Sequence, residues 1–135
     1  MKGICTPNIQ SFVAGADLSA KQYYTVMDGT IEGEVLLYDG TRPPKGILQN
    51  APAQGYAAEV AMPGGGAFMI CDAGIAGGDE IAAGTADGKG ELLAGATDKF
   101  VIARADANGS GVTSANDVIP VVVVNYHYNV DESDV

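Results

Sequence analysis

Glycine and proline interrupt this chain so often that long helices have almost nowhere to form. Only three stretches longer than ten residues escape both, at 16–28, 96–108 and 121–135. None carries the i, i+3, i+4 apolar stripe of an amphipathic helix. The stretch PKGILQNAPAQGYAAEVAMPGGG (residues 44–66) typifies the rest: short apolar runs, Gly46-Ile47-Leu48 and Ala57 to Met62, lie between turn-forming residues.

Strand signals are stronger. Gln22 to Met27 is rich in aromatic and β-branched residues, and Glu32 to Tyr38, Lys99 to Ala105 and Asp117 to Tyr128 have strand length and composition. Between them, Asp28-Gly29, Asp39-Gly40, Asp87-Gly88 and Asn108-Gly109 are pairs favoured in tight hairpin turns, which need positive φ. The pattern predicts an all-β chain: a small β-sandwich or barrel-like domain with many tight turns. The expected layout is an N-terminal arm over 1–16, a β domain over 17–125 and an acidic C-terminal tail over 126–135. Pro120 cannot donate a ladder hydrogen bond, so it belongs at an edge or a strand start. The four valines after it show no alternation. Both faces of that strand are covered by the domain itself, or one face meets a partner. Residues 72–98 are almost all small, which permits close backbone packing.

At 135 residues the chain suits one domain. Seventeen acids against seven Lys and Arg give a formal charge of −10. That balance argues against nucleic acid, whose phosphates need cationic partners, and against anionic membrane surfaces. The N-terminus lacks the unbroken apolar stretch of a signal peptide, and Val118 to Val124 is far too short for a membrane helix. Synthesis in a cytosol is the expectation. Cys5 and Cys71 form no metal-type pair, and nothing in the sequence requires a disulfide between them.

Catalytic groups are sparse. His127 stands alone between Tyr126 and Tyr128, a context that reads as structural or interfacial, and Gly109-Ser110-Gly111 is too short for a nucleophile elbow. Gly84-Thr85-Ala86-Asp87-Gly88-Lys89-Gly90 has the wrong glycine spacing for a phosphate loop and lacks its Ser or Thr. No catalytic, cofactor-binding or metal residue is assigned, and no enzyme activity or cofactor is expected. The one spacing of interest is Asp106 to Asp117. Asp106, Asn108, Ser110, Ser114 and Asp117 fall at positions 1, 3, 5, 9 and 12 of a calcium loop, with Gly111 at position 6, where the sharp turn requires glycine. Asp in place of the usual final Glu, only two carboxylates and strand-like flanks favour a polar hairpin tip instead.

Taken in order, LSAKQYYTVMDG (18–29), PKGILQNAPAQGYAAEVAMPGG (44–65), AGIAGGDEIAAGTADGKG (73–90), ATDKFVIARA (96–105) and VIPVVVV (118–124) resemble the capsid cement, or head decoration, proteins of tailed bacteriophages. The similarity covers roughly residues 17–124. It implies a β-rich protein that binds the outside of an assembled head and locks major capsid subunits together. It also implies a homo-oligomer, often a trimer, located on the virion surface and without catalytic residues. Two other readings remain. One is a β module for carbohydrate or host surfaces, assisted by calcium at the 106–117 loop. The other is a small structural protein of a tail or fibre.

Overall fold

The computed structural model describes residues 6–93, 99–106 and 113–129. It is all-β, with ten strands and no helix among the described residues. The strands are β1 (Ile9–Ala14), β2 (Thr25–Asp28), β3 (Glu34–Leu37), β4 (Pro44–Leu48), β5 (Ala57–Ala61), β6 (Gly66–Cys71), β7 (Glu80–Ala83), β8 (Gly90–Leu92), β9 (Lys99–Ala105) and β10 (Asp117–Asn129). They close into two barrels in chain order, β1-β3-β2-β4-β5 and β6-β8-β7-β9-β10.

The two barrels are one structure built twice. In each, the first strand runs parallel to the third and closes antiparallel against the fifth. Strand registers correspond position by position. Val26 faces Leu37 and Gly46, and its counterpart Ile81 faces Leu92 and Ala103. A bulge interrupts the ladder at the same place in both, after Val26 and after Ile81. The second and third strands are joined by Gly29-Thr30-Ile31-Glu32-Gly33 in one barrel and Gly84-Thr85-Ala86-Asp87-Gly88 in the other. The last glycine of each adopts positive φ, +85° at Gly33 and +79° at Gly88, where a side chain would be strained. The N–H of Gly29 donates to the Glu34 carbonyl at 2.8 Å, and that of Gly84 to the Lys89 carbonyl at 2.9 Å.

Corresponding interiors are filled by corresponding residues. Ala14, Val26, Val35, Leu48 and Val60 fill the first barrel. Their counterparts in the second are Cys71, Ile81, Gly90, Ala105 and Val121. The volumes trade. A Cβ on Gly90 would lie 2.8 Å from both Cys71 Sγ and Ile81 Cγ2, so the larger neighbours of the second barrel demand glycine where the first holds Val35.

The outer wall of the first barrel closes the end of the second. Met27, Tyr38, Ile47 and Ala61 point away from their own barrel interior and join one buried cluster with Met69, Ile102 and Val123 of the other. Backbone bonds reinforce this seam. Tyr23, held at φ +74°, aims its carbonyl at the Ile70 N–H, 3.0 Å away. The Gln49 side-chain amide donates to the Phe68 carbonyl at 2.9 Å and accepts from the Phe68 N–H at 3.2 Å, standing in for a missing strand. Because both Phe68 groups turn toward Gln49, the residue opposite it, Pro120, loses no rung on that side. On its other side the Pro120 carbonyl accepts from the Asp106 N–H just past the end of β9, so the proline sits where a ladder runs out.

Two boundaries expected from sequence are corrected. Residues 9–14 are not part of a free arm: they form β1, hydrogen-bonded between β3 and β5. Residues 126–129 belong to β10 and not to the tail, and residues 130–135 lie outside the described residues. The single β domain expected over 17–125 is a pair of barrels sharing a buried seam.

Gly90→Val is expected to cost about 1–3 kcal/mol through overpacking. Adding Cys71→Ala and Ile81→Val, which installs the first barrel's own set, is expected to recover most of that loss in urea unfolding. A triple variant no more stable than Gly90→Val would contradict the correspondence of the two interiors.

Candidate interaction surface

The two barrels differ most on the outer wall made by their first and fifth strands. In the second barrel, Ile119, Val121 and Val123 of β10 point inward, and Val118, Pro120 and Val122 point outward beside Phe68 and Ile70 of β6. Phe68 is 41% exposed and Val118 44%. The positions corresponding to Phe68 and Pro120 in the first barrel are Ser11 and Glu59. At these two positions one template carries polar side chains once and apolar ones once, while Ile9 and Val13 keep the first wall partly apolar and exposed. Exposed apolar side chains gathered on one face mark interaction surfaces in proteins generally.

Aromatic contacts hold this wall in shape. Phe68 meets Tyr23 edge-to-face on this wall with ring centroids 6.1 Å apart; away from it, past the end of the β6 ladder, Tyr126 meets Phe100 at 5.3 Å. Such pairs fix ring orientation while leaving one face to solvent. The unalternating valines are thus resolved: Val121 and Val123 are core, and Val122 and Val124 are half-buried.

The chemistry-bearing residues do not converge. His127 is exposed, with Nε2 3.8 Å from a Glu80 carboxylate oxygen that is also exposed, a solvent-screened pair. Gly84 to Gly88 is the turn between β7 and β8, shared in form with the first barrel. Among the described residues no group of three or more His, Cys, Asp or Glu could hold a metal ion. Asn108 and Ser110 of the 106–117 loop lie outside the described residues. At the loop's end, Asp117 accepts from the Ser114 N–H at 2.8 Å, closing a turn that starts β10. Asp39 is used in the same way: the Thr41 hydroxyl and N–H bond to it and hold its carboxyl below the usual range.

Cys71 is buried in the second barrel, and Cys5 lies outside the described residues. Burial, with the Asp72 and Asp117 carboxylates nearby, pushes the Cys71 thiol up to about 12. Burial also raises the Asp72 carboxyl, helped by Asp87 and Glu91. Comparison of the sequence with protein-family models and with curated proteins gives no match.

In a Cys5→Ser background, Cys71 is expected to react with a disulfide reagent at pH 8 only as fast as the protein opens, because the thiolate is the nucleophile. Urea should accelerate the reaction by several orders of magnitude. Modification of the folded protein at the rate of a free thiol would contradict this burial.

Proposed function

We propose that this chain is a head decoration protein of a tailed bacteriophage, binding the outer surface of an assembled capsid and bridging its major subunits. The observation that carries the proposal is the apolar pair Phe68 and Pro120 on the second outer wall, where the first carries Ser11 and Glu59. Two barrels of matching register need no such difference to fold, so Phe68, Pro120 and Val118 are best explained by a partner. The ordered resemblance of residues 17–124 to cement proteins names the partner as a capsid shell.

Charge and architecture agree with that reading. A net charge of −10 repels packaged DNA and favours the outer side of the head. A bridging role needs rigidity more than reactive groups, and two closed barrels sharing a buried seam supply it. Repeated modest contacts around a symmetry axis multiply in strength, by ~10²–10⁴-fold for linked pairs, so the chain acts as a homo-oligomer, with a trimer the expected form.

Wild-type protein is expected to co-sediment with mature empty heads and not to bind isolated capsid subunits. Val118→Asp should weaken head binding at least ~10-fold, the effect of about 1.4 kcal/mol, while leaving the thermal midpoint within a few degrees. Equal binding by wild type and variant, or equal affinity for free subunits, would overturn the proposal.

A further inference from the structure

Beyond the residues that the sequence singles out, one end of the second barrel gathers three polar side chains that the shared frame does not require. β6 pairs with β10 on one side and with β8 on the other. Asp72 directly follows β6, Lys89 directly precedes β8 and Asn116 directly precedes β10, so the three lie at one level of adjacent strands. The Asp72 N–H donates to the Gly90 carbonyl at 2.8 Å, and the Asn116 N–H to the Cys71 carbonyl at 2.9 Å. In the first barrel the Gly15 N–H donates to the Val35 carbonyl and the Gly55 N–H to the Ala14 carbonyl, the same two bonds. Asp72 and Asn116 therefore stand where the first barrel holds glycine, and Lys89 stands where it holds Glu34. Gly55 takes φ +85°, and Asn116 takes +68°, a region where side chains are strained and asparagine is among the few tolerated.

Two of these side chains touch. Lys89 Nζ donates to Asn116 Oδ1 at 2.5 Å, joining residues 27 positions apart. The Lys89 backbone is pinned on both sides: its N–H donates to the Asp87 carboxylate at 3.0 Å, and its carbonyl accepts from the Gly84 N–H. The Asp72 carboxyl is pushed above the usual range by burial, then by Asp87 and Glu91, while Lys89 and Lys99 oppose the rise. Asp72 thus lies within electrostatic reach of Lys89, and a carboxylate raised in this way is a stronger base than an ordinary one. Of the other charged groups here, Asp87 is held by the Lys89 N–H and Glu91 is paired with Lys99.

We propose that Lys89 and Asn116 join covalently, forming an amide bridge between their side chains with Asp72 as the base. Asp72 takes a proton from the Lys89 ammonium, and the neutral amine attacks Cγ of Asn116. The Nζ–Cγ bond forms and the Cγ–Nδ2 bond breaks. Nδ2 receives the two protons that Nζ gives up, one of them by way of Asp72, and leaves as ammonium. No oxidant or reductant takes part. Well-oriented intramolecular partners reach effective concentrations of about 10⁵–10⁸ M, which offsets the poor leaving group. The bridge fastens the start of β10 to the start of β8 across the end of β6. A pull on the β6–β10 wall then meets a covalent bond as well as a ladder of hydrogen bonds.

Purified full-length protein tests this without any shell, so its failure is distinct from failure of the capsid reading. After incubation, intact mass spectrometry is expected to find the chain lighter than its sequence by one ammonia. A tryptic digest should contain one branched peptide joining Lys89 to Asn116. Lys89→Arg and Asn116→Gly should each keep the unmodified mass. Glycine suits position 116, as Gly55 shows, and circular dichroism checks that both variants are folded. Asp72→Asn should slow the loss of ammonia at least ~10-fold. A wild type of unmodified mass would overturn the proposal. So would an ammonia loss confined to the Asn116 peptide, the mark of a cyclic imide, a loss that persists in Lys89→Arg, or an Asp72→Asn variant that reacts at the wild-type rate.

Discussion

The interaction on which the molecule depends is the closure of one barrel's mouth by the other's wall. A five-stranded barrel of short strands has too little interior to exclude water from both ends. Met27, Tyr38, Ile47 and Ala61 supply the missing layer for the second barrel and make a single buried cluster of the two. The strained Tyr23 carbonyl and the Gln49 amide sit on the rim of that seam and satisfy backbone groups of β6 that lack a neighbouring strand. Buried backbone polar groups need such partners, so the seam is fixed in register as well as in contact.

The same template solves its packing twice with different residues. Val35 and Gly90 hold one position, and their neighbours are small where the residue is large and large where it is absent. The barrel ends diverge further: a layer that is apolar and sealed in the second barrel holds an ion pair in the first. Surface divergence on an unchanged frame separates what the fold requires from what a partner requires. Phe68 and Pro120 against Ser11 and Glu59 are a difference the shared frame does not require.

Much of the β architecture is legible in the sequence, for identifiable reasons. Lys99 to Ala105 and the strand beginning at Asp117 combine β-branched content with clear turn signals, and both form as expected. The strand expected from Gln22 begins only at Thr25, because Tyr23 takes positive φ to reach Ile70, a tertiary demand that propensity does not record. β1 is hidden in what reads as an arm, since its pairing partners lie far along the chain and its outward residues are exposed. The stretch 72–98 reads as small-residue packing, yet it holds β7 and β8, whose alanines and glycine suit a crowded interior. The duplication itself leaves only the Gly-Thr-x-acid-Gly turn in the sequence, because core positions have exchanged volumes and wall positions such as Ser11 and Phe68 differ in polarity. The apolar wall is visible only once register places Phe68 beside Pro120.

The function we propose is that the second outer wall of this double barrel meets a capsid shell through shape and repetition. A cryo-electron map of a particle carrying this protein tests that most directly. The account predicts density for both barrels outside the shell, with the β6–β10 wall against capsid subunits. Density inside the head, or that wall turned to solvent with another surface seated on the shell, would contradict it.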